Sequence, residues 1–513
     1  MISSRTCTAI VAIGAGAVVA LGGCSRGDTV EASRSLSASS SARSKAATAA
    51  RPPGPAADLS QELSGGNGVF LPGGSATTAS SMSSPPPKGY VAHEYVASGT
   101  ATSYRAEGEL TRDGRWTFVP ADSAPYRTRI LVRRPADPKR FSGNVIVEWL
   151  NVSGGVDSGP DYDTTHEEIT RAGDAWVGVS AQLIGVMGGP VLVKAPTSGP
   201  DLVGKGLRAI DPARYGTLQH PGDGYSYDIF TQVARAIRLG GTPLGGLHPK
   251  RLIGAGESQS AIALVTYING VAPLAQAFDG YLIHSRGASG LPLAAPGQAA
   301  GIADSLSGRP TIFRTDLDAP ILDLQTESDT GLLGSLAARQ PDDAHFRLWE
   351  VAGTAHADAR LLGAVATQLD CGLPVNNGPM HVVVKAGLHA LDTWLRTGTP
   401  PPKAPRFETT SGAKPELRRD ADGIVLGGIR TPPVDVPVVV LSGVVQPGAS
   451  TICLLSGSTK PLTAARIAQL YPSQAAYTKR YRASMARAIK AGHVLAADRR
   501  AMLAYAQPQL VQP

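Results

Sequence analysis

The sequence predicts an α/β fold built on a mostly parallel, doubly wound sheet, and three observations support this prediction. Apolar runs of strand length alternate with helical patterns from Gly89 onward, as in a sheet whose strands are joined by helices. Several of these runs are almost continuously apolar, as strands buried on both faces require. Polar residues able to carry chemistry directly follow three of the strand-like runs, at the edge where the carboxyl ends of parallel strands meet.

The predicted elements follow one another in a regular order. Strands are expected at 91–98, 126–134, 144–150, 175–180, 251–256, 279–284, 320–326, 346–351 and 437–441. Helices are expected at 165–172, 225–239, 377–396 and, as a long tail, 474–507.

These elements define the predicted domain organisation. Residues 89–402 form the α/β core, which contains a Gly/Pro-rich insertion at 183–224 and ends at the Pro-rich stretch 397–402. Residues 403–513 form a C-terminal extension that we expect to pack on the core.

The N-terminus is predicted to be a targeting segment. Arg5 is followed by an uncharged run that ends in Leu21-Gly-Gly-Cys24 and resembles a bacterial lipoprotein signal. The resemblance implies that residues 1–23 are removed and that Cys24 carries the lipid. An ordinary signal peptide or a weak membrane span is the alternative, although the run is short for a bilayer core about 30 Å thick.

The segment after the signal is predicted to be disordered. Residues 24–88 are rich in Ser, Ala, Gly and Pro and can bury too little apolar surface to offset their ordering entropy. Within this segment, Val69–Leu71 is expected to dock weakly on the folded part of the protein. We therefore expect a protein tethered by lipid to the extracytoplasmic face of the cell membrane.

Composition narrows the function classes. The net charge of +7 is small for 513 residues, and Lys and Arg are scattered, so nucleic-acid binding is not expected.

Cys7 leaves with the signal and Cys24 would carry lipid, which leaves Cys371 and Cys453 to form a disulfide or two buried thiols; export favours the disulfide. No C-x-x-C or H-E-x-x-H pattern occurs, so no metal site of recognisable spacing is predicted.

A sharp strand-to-helix turn is predicted at Ser258. An apolar run starting at Arg251 ends in small residues, and a helical pattern begins just after the serine. A serine nucleophile needs such a strained turn, because only small neighbours let the helix approach the strand while Oγ stays exposed. The pattern is G-x-S-x-S rather than G-x-S-x-G, because Ser260 stands where glycine is usual.

A carboxylate and a histidine follow two later strand-like runs. Glu327 and Asp329 come after 320–326, and His356 lies in the loop after 346–351. This order of serine, acid and histidine is that of an α/β-hydrolase triad, in which the imidazole takes the proton of the serine and the acid fixes the tautomer. The common turn after the acid strand reads Gly-x-x-Asp, which favours Asp329 and keeps Glu327 as the alternative acid.

An oxyanion hole requires two backbone N–H groups. Gln259, directly after the nucleophile, is expected to supply one of them. Val152 or Ser153, in a glycine-rich loop, is expected to supply the other; the alternative is that this loop is a plain turn without a role in catalysis. We interpret His220 and His284 as ordinary structural histidines rather than pocket residues.

Several motifs together resemble a family of bacterial and fungal α/β-hydrolase-domain proteins with a G-E-S-Q-S elbow. The resemblance spans residues 89–508 and implies a hydrolase fold with Ser258 as nucleophile. Its landmarks are Glu148–Gly155, Trp176–Gln182, Arg214–Asp228, Gly256–Ser260, His284–Gly287 and Gly427–Pro432.

The sequence therefore predicts a serine hydrolase that cleaves carboxylic esters through an acyl-enzyme, without a cofactor. Its expected substrate is a small-molecule or cell-envelope ester, and acyl transfer to an acceptor other than water stays open. The alternative is a non-catalytic lipoprotein that binds envelope material on a hydrolase scaffold. The serine at position 260 and the presence of two candidate acids, Glu327 and Asp329, would allow this.

Overall fold

The structure is a computed structural model that describes residues 54–66, 85–194, 203–412, 414–445 and 449–512. The predicted signal peptide, Cys24 and Val69–Leu71 lie outside these residues. None of the described helices combines the length and the apolar character needed to cross a bilayer.

An eight-stranded sheet forms the centre of the fold, in the order β1-β2-β4-β3-β5-β6-β7-β8. The first two strands are antiparallel to each other, β2 is antiparallel to β4, and all remaining neighbours are parallel. The strands, together with a separate β9–β10 pair, are β1 (Tyr90–Glu107), β2 (Thr117–Pro135), β3 (Asn144–Trp149), β4 (Ala175–Val179), β5 (Arg251–Glu257), β6 (Gly280–His284), β7 (Ile321–Thr326), β8 (Phe346–Val351), β9 (Val439–Ser442) and β10 (Ser458–Pro461).

Helices cover both faces of this sheet. They are α1 (Pro160–Ala172), α2 (Leu183–Met187), α3 (Gly206–Ile210), α4 (Pro212–Tyr215), α5 (Ser226–Arg238), α6 (Gln259–Thr266), α7 (Ala272–Ala275), α8 (Ile302–Ser305), α9 (Glu327–Gly331), α10 (Ala359–Leu362), α11 (Met380–Thr397), α12 (Pro432–Asp435), α13 (Thr451–Ser456), α14 (Ala464–Leu470), α15 (Gln474–Lys490) and α16 (Arg499–Leu503). The predicted mostly parallel, doubly wound sheet is confirmed, and the chain has the α/β-hydrolase fold.

The two faces of β3 illustrate how the sequence builds these layers. Val145 and Val147 point to one face, where they join the apolar core formed with α5 and α6. Ile146 points to the other face and joins the core formed with α1 and α11. All three are at most 1% exposed, because a strand between two helical layers buries both sets of its alternating side chains.

The prediction of a disordered tether is wrong for residues 54–66. Ala57 and Leu59 are buried in the main core, and the N–H of Leu63 donates to the carbonyl of Glu94 in β1 at 2.8 Å. The segment therefore covers the otherwise open edge of the sheet and satisfies its backbone groups. Its few apolar residues suffice because the edge strand supplies hydrogen-bond partners.

Residues of the C-terminal extension contact the opposite edge of the sheet. Ile429 makes backbone hydrogen bonds at the end of β8, donating to Glu350 at 2.7 Å and accepting from Ala352, the residue after the strand, at 2.9 Å. The predicted helical tail is interrupted, because α15 ends at Lys490 and Gly492 adopts a left-handed conformation with φ 79°. Helical structure resumes only near residue 496.

Candidate active site

Ser258 occupies a strained turn between β5 and α6. Its φ is 61° and its ψ is −123°, a backbone conformation that side chains with a Cβ rarely adopt. The turn is held from both sides, since the N–H of Ser258 donates to the carbonyl of His284 at 2.9 Å and its carbonyl accepts from Ile262 at 3.0 Å. Such strain persists where the surrounding structure fixes it, and it places Oγ at the end of the sheet.

Gly256 allows the strand and the helix to approach closely at this turn, where Ser260 replaces the usual glycine. A Cβ on Gly256 would lie 2.9 Å from the carbonyl carbon of Ser260 and 3.0 Å from its oxygen. The close approach of strand and helix therefore requires glycine at 256. Ser260 is fully buried, and its Oγ has no hydrogen-bond partner among the described residues. The departure from the usual pattern thus leaves the turn intact.

Ser258, His356 and Asp329 meet at this edge of the sheet. The Nε2 atom of His356 lies 2.7 Å from Ser258 Oγ, and its Nδ1 atom lies 2.6 Å from Asp329 Oδ1. The three residues follow β5, β8 and β7, parallel strands whose carboxyl ends share one edge. The structure therefore joins a hydroxyl, an imidazole and a carboxylate in one hydrogen-bonded chain, the arrangement that activates a serine.

The orientation of Asp329 comes from a helix cap. Thr326 is the N-cap of α9, and its N–H donates to Asp329 Oδ2 at 2.6 Å while its hydroxyl accepts from the Asp329 N–H. This capping box occupies one carboxylate oxygen and leaves the other for His356. The turn that favoured Asp329 in the sequence is thus a capping motif that fixes the carboxylate.

Glu327, the alternative acid, is not the partner of His356. Its carboxylate accepts hydrogen bonds from the N–H of Gly353 at 2.7 Å, from Arg419 at 2.8 Å and from the N–H of Gly443 at 3.2 Å. It therefore ties the histidine loop to the C-terminal extension.

Charge in the site favours a protonated His356. Burial opposes protonation, but the carboxylates of Glu257 and Asp329 outweigh it and raise the pKa of His356 to about 9. Burial alone would also raise the pKa of Asp329, yet the charge and hydrogen bond of His356 and the Thr326 N–H hold it below its usual value. The imidazolium that forms when a serine is deprotonated is therefore stabilised.

Glu257 is a site residue that the sequence reasoning missed. Its Oε1 lies 3.6 Å from His356 Nε2, the side chain is 4% exposed, and this oxygen has no hydrogen-bond partner among the described residues. Burial raises the pKa of Glu257 to about 7. Its position directly before the serine was the available signal, because the residue that ends β5 lies beside the turn.

The predicted oxyanion donors are only partly available. Gln259 is the first residue of α6, and no partner for its N–H occurs in the described part of the chain. The N–H of Val152 makes a long, weak bond of 3.4 Å to the Gln259 side chain. The N–H of Ser153 is less available, because it donates to the Asn151 side chain at 2.8 Å and closes a local turn.

Sequence comparison agrees with this geometry. A family model described as "Alpha/beta hydrolase domain" matches residues 58–504. The chain belongs to the alpha/beta hydrolase domain family. A comparison with curated proteins gives no significant match.

Solved structures similar to this alpha/beta hydrolase include three proteins of low sequence identity. An esterase from Rhizomucor miehei is 11% identical over 59% of this chain and 86% of its own, with a TM-score of 0.30. Carboxyl esterase 2 from Tuber melanosporum is 11% identical over 57% and 88%, with a TM-score of 0.28. An alpha/beta serine hydrolase without a lid from Xanthomonas campestris is 13% identical over 53% and 92%, with a TM-score of 0.26.

A narrow cleft of about 100 Å³ opens onto the serine of this hydrolase. Its walls are mainly apolar, whereas Glu257 lies beside Ser258 and His356. The apolar lining residues include Val156, Val193, Leu361, Leu362, Ile452 and Leu455. Such a cleft suits a small apolar group next to a polar reacting centre.

A disulfide supports one wall of the cleft. Cys371 and Cys453, the pair favoured by the sequence, are joined across 82 positions of the chain. Cys453 lies in α13, the helix that also carries Ile452 and Leu455. The bond therefore fixes this wall to the segment that follows the histidine loop.

A second, more polar cavity of about 280 Å³ also touches His356. His284 lines it and lies 3.1 Å from the carboxylate of Asp161, so this histidine belongs to the surroundings of the site rather than to a remote part of the core. His220, in contrast, is buried and bonded to the backbone at Ala181, as expected for a structural residue. No cluster of three or more His, Cys, Asp or Glu side chains suited to a metal ion occurs among the described residues.

Proposed function

We propose that this alpha/beta hydrolase is a serine esterase that cleaves carboxylic esters through an acyl-enzyme on Ser258. One observation carries the proposal: Ser258 Oγ, His356 and Asp329 form a continuous chain with contacts of 2.7 and 2.6 Å. A hydroxyl is a poor nucleophile at neutral pH unless a neighbouring base removes its proton. The same arrangement on an inert binding module would have no evident use.

The proposed reaction proceeds in two halves. Ser258 Oγ attacks the ester carbonyl carbon while His356 Nε2 takes its proton, and the imidazolium then protonates the departing alkoxide. Asp329 keeps the imidazole in the required tautomer and stabilises its charged form. In the second half, water attacks the acyl group with His356 again acting as base, and the proton returns to Ser258. No cofactor is required.

Two backbone N–H groups are proposed to stabilise the oxyanion. Gln259 supplies the first, at the N-terminus of α6 where the helix dipole favours negative charge. Val152 supplies the second, because a substrate oxyanion competes easily with its present 3.4 Å bond to an amide oxygen.

The size of the cleft favours short acyl chains. A cavity of about 100 Å³ with apolar walls accommodates a small acyl group more readily than a fatty acid. We expect the purified protein to hydrolyse p-nitrophenyl acetate or butyrate much faster than the palmitate ester. Because His356 must be neutral to accept a proton and its pKa is raised to about 9, the rate should increase with pH toward that value.

Initial rates over a chain-length series, corrected for spontaneous hydrolysis, test this expectation. A protein inert toward every ester but able to bind cell-envelope material would instead support the non-catalytic alternative. Preference for the palmitate ester would contradict the assignment of the cleft as the acyl site.

We further propose that the enzyme acts at the extracytoplasmic face of the cell membrane, anchored through lipid on Cys24. The resemblance of Leu21-Gly-Gly-Cys24 to a lipoprotein signal supports this location. The Cys371–Cys453 disulfide also supports it, since such bonds persist mainly outside the reducing cytoplasm. We expect full-length protein made in a bacterial host to incorporate labelled palmitate and Cys24→Ala protein not to. Equal labelling of the two proteins, or of neither, would contradict the anchor.

A further inference from the structure

A buried carboxyl group that is not part of the triad, that of Glu257, lies beside the reacting serine. Glu257 is 4% exposed and lines the cleft beside Ser258, yet its Oε1 has no hydrogen-bond partner among the described residues. Leaving a buried polar oxygen unpaired costs free energy, and the cost is larger for a charged group. A carboxyl kept in this state beside the reacting serine indicates that a molecule bound during the reaction completes its hydrogen bonding.

The second half of the proposed reaction supplies such a molecule. Once Ser258 is acylated, His356 Nε2 loses the hydroxyl that bonds to it at 2.7 Å and must receive a proton from water instead. Glu257 Oε1 lies 3.6 Å from the same nitrogen. Two hydrogen bonds of about 2.8 Å from one water span this separation, so a single water can contact both atoms.

We propose that Glu257 positions the water that hydrolyses the acyl-enzyme. One O–H of this water donates to His356 Nε2 and the other donates to Glu257 Oε1, which directs a lone pair toward the acyl carbon. The water oxygen bonds to that carbon as its proton passes to His356. The bond to Ser258 Oγ then breaks, the proton passes from His356 to Oγ, and the carboxylic acid leaves with the second water proton.

Glu257 is unchanged at the end of this sequence, and its role rests on the proposed esterase function. The proposed role of Glu257 also affects which molecule accepts the acyl group. A second O–H donor is present in water but absent from a simple alcohol, so Glu257 favours hydrolysis over acyl transfer. Burial, which raises the pKa of this group to about 7, does not prevent the role, because both the ionised and the neutral carboxyl offer an acceptor oxygen.

The test separates formation of the acyl-enzyme from its breakdown. Glu257→Leu removes the acceptor at similar size, whereas Glu257→Gln keeps one acceptor oxygen. Asp228→Asn is the matched control, because Asp228 is another buried carboxyl with a raised pKa, but it lies on α5 bonded to Thr102 and Gln232. Rapid-quench mass spectrometry with p-nitrophenyl acetate follows the acetylated protein, and near-ultraviolet circular dichroism checks the fold of each variant.

The variants are compared above the His356 pKa of about 9, where the imidazole is neutral with or without the Glu257 charge. There we expect Glu257→Leu to acetylate at nearly the wild-type rate and to deacetylate about tenfold to a hundredfold more slowly, as loss of a hydrogen bond to a charged group implies. Glu257→Gln should recover part of the deacetylation rate, and the control should match wild type. With methanol added, the leucine variant should give a larger ratio of methyl acetate to acetate.

Several results would overturn the proposal. Equal slowing of both steps would assign Glu257 to substrate binding or to general electrostatic support of His356. Unchanged deacetylation in a folded leucine variant would leave no role for it with water. Failure of the esterase function itself would look different, since wild-type protein would then form no acetyl-enzyme at all.

Discussion

Replacing Ser258 with alanine is expected to reduce kcat/KM for short esters by about 10⁴-fold or more, because it removes the nucleophile and with it the covalent route. The residual rate would come from the oxyanion donors and from substrate positioning alone. The substitution also replaces a strained serine with a residue that has the same Cβ, so the turn at φ 61° should persist. Steady-state kinetics on p-nitrophenyl acetate measure the loss.

Ser260→Ala provides the matched control for this experiment. Ser260 lies in the same elbow, but its Oγ is buried and has no hydrogen-bond partner in the described structure. We expect this variant to keep the wild-type rate and to be at least as stable, because it removes an unsatisfied hydroxyl. A Ser258→Ala protein as active as wild type, or loss of activity in Ser260→Ala alone, would contradict the assignment of the nucleophile.

Asp329→Asn is expected to lower kcat about 10⁴-fold while leaving the fold nearly unchanged. The carbonyl oxygen of asparagine can still accept from the Thr326 N–H, which donates to the aspartate at 2.6 Å. Its amide N–H₂ then points at His356 Nδ1, so Nδ1 must act as the acceptor. The neutral imidazole therefore carries its proton on Nε2. In that tautomer the imidazole cannot take the proton of Ser258.

Glu327→Gln tests which of the two carboxylates, Glu327 or Asp329, is the triad acid, a choice that the sequence left open. Glu327 bonds to Gly353, Arg419 and Gly443 and makes no contact with His356, so we expect less than a tenfold change in kcat. Its ion pair with a 24%-exposed Arg419 is partly screened, and stability should fall by only about 1–2 kcal/mol. Kinetics on both variants compare their kcat losses, and thermal unfolding measures their stability. A larger kcat loss in Glu327→Gln than in Asp329→Asn would make Glu327 the triad acid instead.

The central strands and the longer helices follow from local sequence. Strands such as β4 are apolar runs, and helices such as α5 and α11 have a periodic apolar face, whereas most of the short helices were not predicted. The position of the serine was also predictable, because Gly256 permits a close strand–helix approach and Ser258 stands two positions later, where the helical pattern begins. The order of the site residues along the chain was also visible. Each follows a strand of the parallel part of the sheet, which brings all three to one edge.

The choice of acid could not be predicted with the same certainty, because it depends on partners distant in sequence. Glu327 and Asp329 lie two positions apart, and what separates them is Arg419, 92 positions from Glu327, together with the cap at Thr326. The choice between Val152 and Ser153 depends on a local hydrogen bond, because the side chain of Asn151 accepts from the N–H of Ser153. Low-complexity composition likewise concealed Leu59, whose contacts depend on the edge of a sheet formed far along the chain.

The location of a covalent adduct would show which residue is the nucleophile. The protein would be treated with a fluorophosphonate, digested, and mapped by tandem mass spectrometry, with His356→Ala protein treated in parallel. We expect one adduct, on Ser258, formed rapidly in wild type and about a thousandfold more slowly without the imidazole. An adduct on another residue, or equal labelling of Ser258 without His356, would contradict the claim that this serine is activated by that histidine.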